Sequence, residues 1–139
     1  MLYKDIWYVE GSESWGAKIL QNAGGNYIFS DQKGTGSTQL NYEFVLDNAM
    51  EADFWIGSAD FSDLQTMRHV DARYKVFNAF QSGNVFSYTQ KRGRAGGLEY
   101  FELGYMRPDL ILKDLIKILH PDLLPAYELY FYQQLDAKK

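Results

Sequence analysis

Short runs of strand-forming residues, each closed by glycine or polar residues and followed by apolar residues at helical spacing, recur along this sequence. Residues 5–10 (D-I-W-Y-V-E) are rich in β-branched and aromatic side chains and stop at Gly11, the signature of a buried strand. Ser12, Glu13 and Ser14 then offer capping groups, and Trp15, Ile19, Leu20 and Ala23 follow at helical spacing until Gly24-Gly25 ends the segment. Residues 27–29 (Y-I-F) read as a second short strand, and residues 31–38 (D-Q-K-G-T-G-S-T) as a polar, glycine-rich loop. Asn41 reads as the cap of a second helix, with Phe44, Val45, Leu46 and Ala49 on its buried side.

The alternation continues. Residues 53–56 and 84–88 read as third and fourth strands, with helical or irregular stretches over 61–66 and 71–80 between them. Residues 90–97 (Q-K-R-G-R-A-G-G) form a second loop, and 98–105 read as helical. The clearest helix spans 108–119. Pro108 suits its first turn, and Leu110, Ile111, Leu115, Ile118 and Leu119 make its core stripe. Pro121 and Pro125 break the chain before an aromatic tail at 127–132. Strands alternating with helices predict an α/β domain, a three-layer αβα sandwich with a mostly parallel central sheet. Its core is expected to include Ile6, Val9, Ile19, Leu20, Val45, Phe54, Ile56, Val85, Leu112 and Leu115. No internal repeat or domain linker divides residues 1–139, a length that suits one domain.

Composition narrows the function classes. A net charge of −4 offers no basic face for nucleic-acid phosphates. The absence of cysteine removes disulfides, thiolate zinc sites and cysteine nucleophiles. No apolar run approaches the roughly 20 residues of a membrane helix, and residues 1–5 lack the apolar stretch of a signal peptide. Neither His69 nor His120 has a partner at the spacing of a metal motif, and His120, between a helix and Pro121, reads as a helix-end residue. The run Gly34 to Thr38 lacks the Gly-Lys-Ser/Thr ending of a phosphate loop, and no G-x-S-x-G elbow occurs. No catalytic constellation emerges and no cofactor is called for. Aromatic residues make up 17% of the chain, which fits either a tyrosine-rich core and rim or a surface gripping a flat ligand or another protein.

In a parallel sheet, ligands sit beyond the carboxyl ends of the strands. That rule selects residues 11–15, 57–61 and 90–97 as cleft-forming segments, with Ser12, Trp15, Asp60 and Phe61 among the candidates. Lys91, Arg92 and Arg94 concentrate basic charge beside glycines, either as a solvated loop or as a grip on an anionic ligand, because Arg suits bidentate oxygen recognition. Lys33 and the hydroxyls of Thr35, Ser37 and Thr38 could assist from the first loop.

Three stretches carry a resemblance: G-S-E-S-W-G-A-K-I-L-Q-N-A-G-G-N-Y-I-F-S-D (11–31), Q-L-N-Y-E-F-V-L (39–46) and E-A-D-F-W-I (51–56). In that order they resemble the second lobe of class III substrate-binding proteins of ABC importers, the iron-complex, haem and cobalamin type. The segment 99–125 looks like the version found in Bacteroidetes-type members. The resemblance implies the carboxy-terminal lobe of a two-lobe binding protein, with the amino-terminal lobe and linking helix outside this chain. It implies a metal-chelate ligand: a ferric siderophore or haem, with cobalamin disfavoured because a ligand-facing Trp of a cobalamin-binding relative is Ser37 here. It implies that Glu43 pairs with arginines of the membrane permease. It also implies a periplasmic, lipid-anchored full-length protein without enzymatic activity. The rival readings are a small α/β enzyme, which would need titratable groups converging in a pocket, and a protein-interaction module.

Overall fold

Two polar side chains set where the first helices begin. Ser14 accepts the backbone N–H of Ala17 at 3.1 Å, and Asn41 accepts that of Phe44 at 2.8 Å. Each satisfies one of the donors a helix start leaves open. The helices that follow are α1 (Trp15–Asn22) and α2 (Tyr42–Ala49). The structure, a computed structural model, describes residues 2–3, 5–57, 61, 63–88 and 107–135, with backbone only for 2–3.

Strand β1 (Leu2–Tyr3) pairs antiparallel with β2 (Ile6–Glu10), which pairs antiparallel with β3 (Ser37–Asn41). Within β3 exposure alternates residue by residue, with Thr38 and Leu40 turned inward opposite Val9 and Trp7. Its polar composition, S-T-Q-L-N, conceals this period. The stretch 27–29, expected as a strand, is a turn instead. Phe29 enters the core, the Tyr27 hydroxyl donates to the Glu10 carbonyl, and Gln32 N–H donates to the Phe29 carbonyl at 3.0 Å. The second bond satisfies the Phe29 carbonyl that a ladder would otherwise take up, and the first ties the turn to the end of β2.

A second sheet is built from β4 (Trp55–Ile56), β5 (Val85–Ser87) and β6 (Gln133–Gln134). The β4–β5 pair is parallel, joined by a crossover through α3 (Leu64–Val70), a 3₁₀ turn (Ala72–Val76) and α4 (Asn78–Ser82). Strand β6 closes onto β5 antiparallel. Helices and strands are thus mixed as the sequence predicts, while among the described residues β4–β5 is the parallel pair and the other pairings are antiparallel. Antiparallel β2–β3 follows from the chain's return: the 23–36 segment lays β3 back beside β2 instead of crossing over.

Two apolar clusters hold these parts together. In the first, Trp7 meets Trp55, Tyr74 and Phe77 at ring-centroid distances of 5.4–5.7 Å, in tilted and edge-on geometries. Phe29, Val45, Phe61, Leu64, Met67, Val85 and Leu135 complete it. The second joins α1 to α5 (Pro108–Leu119) and the aromatic tail through Ile19, Ala23, Ile111, Leu115, Ile118 and Phe131. Of the expected core, Ile19, Val45, Val85 and Leu115 are buried, and Ile6, Val9, Leu20, Phe54, Ile56 and Leu112 are half-buried. Phe44, expected on the buried side of α2, is 39% exposed and leans on Phe29. The expected helix 98–105 lies outside the described residues.

Candidate ligand-binding rim at the carboxyl end of strand β2

The chain leaves β2 at Glu10 and turns through Gly11 before α1. Three backbone bonds tie this turn to the glycine-rich loop. Gly11 N–H donates to the Gly36 carbonyl at 2.8 Å, Ser12 N–H to that of Gln32 at 2.8 Å, and Glu13 N–H to that of Gly34 at 3.0 Å. The Glu13 carboxylate returns the contact, accepting Gly34 N–H at 3.1 Å. The approach needs glycine at position 11: a Cβ there would stand 2.3 Å from the Gly34 carbonyl oxygen.

This stitching gathers residues that the sequence places far apart. Ser12 and Lys33 lie on the two tied segments, and Ser37 starts β3 directly opposite Glu10. Lys33 and Ser37 are exposed and Ser12 is half-buried. Trp15, 37% exposed, opens α1 just beyond. It also lines a shallow groove of about 330 Å³ with Lys18, Ile19, Asn22, Pro108, Asp109 and Leu112, between the length of α1 and the first turns of α5. The other ends of these helices also meet, since a Cβ on Gly24 would stand 2.8 Å from the His120 Nε2. The two helices therefore run side by side with their amino-terminal ends on the Trp15 side. At the groove mouth Arg107 and Asp109 pair at 2.9 Å.

Glu10 belongs to the same rim, and the sequence reading missed it. Its carboxylate lies over Gly16, where a Cβ would stand 2.4 Å from Oε1, and it accepts the Ser14 hydroxyl at 3.3 Å. Glu10 is exposed as a residue, but its carboxyl lies against the helix backbone at Gly16, and the loss of water there raises its pKa, only partly offset by the Ser14 hydrogen bond. The neighbouring Tyr27 hydroxyl is pushed up to about 12, first by burial and then by the Glu10 charge. A signal was available: glycine inside a helix is unfavourable by about 1 kcal/mol, so Gly16 two residues past a cap points to a close approach.

Phe61, expected at the cleft, is 7% exposed and packs edge-on against Tyr74 in the first cluster, so its ring is a core group here. The adjoining carbonyl accepts the Ser87 hydroxyl at 3.3 Å. Asp60, Arg92 and Arg94 lie outside the described residues. Glu43 is exposed in the first turn of α2, as expected for a first-turn acid. What the rim presents is an indole, an ammonium group, hydroxyls and the carboxylates of Glu10 and Glu13, a combination that offers stacking and hydrogen bonding to a ligand.

No protein-family model matches the sequence, and no solved structure matches it. Over 133 residues, 94% of this chain, it is 32% identical to an uncharacterized lipoprotein of Methanocaldococcus jannaschii. That stretch is 30% of the relative, so the chain spans less than a third of the length of the curated protein it matches. Among the described residues no helix is long and apolar enough to cross a membrane.

Proposed function

We propose that this chain is the carboxy-terminal lobe of a two-lobe substrate-binding protein serving an ABC importer, and that it contributes one wall of the cleft for a metal chelate such as a ferric siderophore or haem. The observation that carries the reading is the stitched rim after β2. There Ser12, Lys33, Ser37 and Trp15 share one edge, where the turn after β2 is tied to the glycine-rich loop that leads into β3. The parallel β4–β5 crossover is the described element that such a lobe's three-layer αβα arrangement, with its mostly parallel central sheet, would share, beside antiparallel pairings at β2 and β6. The likeness to part of a longer lipoprotein fits a full-length protein anchored by lipid on the outer side of the membrane, in the periplasm where one exists. The remaining length of that relative leaves room for a second lobe.

In this reading Arg92 and Arg94 meet the anionic edge of the ligand, and Glu43 faces the permease. Two arms test it. Calorimetric titration of this chain with haem and ferric siderophores should show weak binding, because half the contacts are missing and each ~1.4 kcal/mol is tenfold in Kd. The two-lobe protein should bind one of them tightly, and Glu43→Arg should leave that binding intact while weakening association with the permease. Failure of the two-lobe protein to bind any metal chelate overturns the ligand class. Unchanged permease association in the Glu43→Arg variant overturns the docking role.

A further inference from the structure

Between Gly34 and Met67 the sequence carries six acidic residues, Glu43, Asp47, Glu51, Asp53, Asp60 and Asp63, and no lysine or arginine. The rest of the chain therefore has a small positive balance, and this stretch accounts for the whole negative one. Glu43 and Asp47 stand one turn apart on α2, and Glu51 follows one turn later just past its end; all three are exposed. Beside them the surface is not only charged. A groove of about 560 Å³ runs between Ile28 and the end of α2, lined by Leu46, Met50, Asp47 and Glu51. Ile28 is 39% and Met50 40% exposed, which puts large apolar side chains in water along an acidic border.

We infer that this groove is a docking surface for a basic, amphipathic segment of a partner protein. In it an apolar side chain enters between Ile28 and Met50, and lysines or arginines meet Asp47 and Glu51. Charge complementarity selects the occupant. The carboxylates of Asp47 and Glu51 on the groove wall repel nucleic-acid phosphates and anionic lipid headgroups, and attract a basic protein segment. The apolar floor supplies the contact that charge alone lacks, and methionine adapts to side chains of varied shape. The surface adjoins Glu43 and so deepens its docking role to a groove with its own apolar anchor. The groove's test does not depend on transport.

The probe is a short helical peptide with leucine on one face and lysine on the other, titrated into the isotope-labelled 139-residue chain and followed by NMR. A second peptide of equal charge has its leucines replaced by glutamine. Chemical-shift changes should centre on Ile28, Asp47, Met50 and Glu51. The leucine peptide should bind roughly tenfold more tightly than the glutamine peptide, and Met50→Ala should remove most of that advantage. Asp47→Lys with Glu51→Lys should weaken both peptides by about tenfold at low salt, with the loss shrinking as salt rises. Melting curves of the Met50→Ala chain should match those of the parent. Equal affinity for the two peptides, insensitivity to Met50→Ala, or shifts centred elsewhere would overturn the inference. Tighter binding of anionic vesicles or of single-stranded DNA than of the leucine peptide would overturn it too. A permease that ignores Glu43 while the leucine peptide still seats on Met50 would separate failure of the docking role from failure of the groove.

Discussion

The hydroxyl of Tyr127 donates to the Asp114 carboxylate at 2.6 Å, and that one carboxylate also organises the backbone of the aromatic tail. The N–H groups of Tyr130, Phe131 and Tyr132 all donate to it, at 2.9, 2.7 and 3.0 Å. Asp114 is fully buried on the stripe of α5 that otherwise carries Ile111, Leu115 and Ile118. Its four donors bind the tail to the helix just before β6 joins β5, so the second sheet depends on this contact for its edge.

Asp114→Ala should therefore cost about 3 kcal/mol or more, because it leaves several buried donors unsatisfied at once. Asp114→Asn keeps one acceptor oxygen but turns an N–H₂ toward other donors, so it should fall between the parent and the alanine variant. Tyr127→Phe removes one bond and should cost about 1 kcal/mol. Urea unfolding of the three variants checks the order. A loss below about 1 kcal/mol for Asp114→Ala would mean that the tail is held by its aromatic packing alone.

Glu10 makes a pH prediction with the opposite sign to a salt-bridged acid. Its folded pKa lies above the ordinary value of 4.5, so the folded state holds the proton more tightly than the unfolded chain. Its contribution to stability is best below that value and declines as pH rises through the folded pKa. Glu10→Gln should thus stabilise the chain at neutral pH and make little difference under acid conditions. Melting temperatures followed upward from the ordinary value to neutral pH read it out. A parallel offset at every pH would point to a change in packing instead of titration.

The helix starts were legible because their chemistry is local: Ser14, Asn41 and Pro108 each act within one turn of themselves. The glycine pair ending α1 was legible for the same reason. Strand partners were not, because β3 carries its register in alternation of burial and not in composition, and its pairing with β2 is set by a loop that folds back through Gly11 and Gly34. Phe61 and Phe44 exchanged expected roles, one entering the core against Tyr74 and the other standing at the surface against Phe29. The parallel-sheet rule selected Ser12 and Trp15 after a strand whose described partners both run antiparallel, so their shared rim comes from the stitched turn and not from that rule. It could not reach Glu10, whose position depends on the missing side chain of Gly16. Asp114 left a trace that went unread, an acid on the apolar stripe of an otherwise regular helix.

Gly11→Ala tests the stitching of the rim directly. The added methyl would meet the Gly34 carbonyl, a backbone atom that cannot swing aside like a side chain, so the glycine-rich loop must move away. The three backbone bonds between residues 11–13 and the loop should weaken together, and hydrogen exchange at Gly11, Ser12, Glu13 and Gly34 should accelerate. The core amides of Val45 and Leu115 should exchange as before. Acceleration throughout the chain would show that the loop contact supports the whole fold and not the rim alone.

Trp15 separates binding from stability. Its indole is more than a third exposed on the rim, so Trp15→Ala should change unfolding free energy by roughly 1 kcal/mol or less. In the two-lobe protein the same change removes the rim's aromatic face, and affinity for the bound chelate should fall by about tenfold or more, in line with the weight that tryptophan anchors carry in interfaces. Trp15→Phe should recover part of the loss by restoring an aromatic face. Calorimetry gives the affinities and urea unfolding the stabilities. If Trp15→Ala binds as tightly as the parent, the ligand does not touch this edge, and the groove shared with Pro108 and Leu112 is a packing seam between α1 and α5.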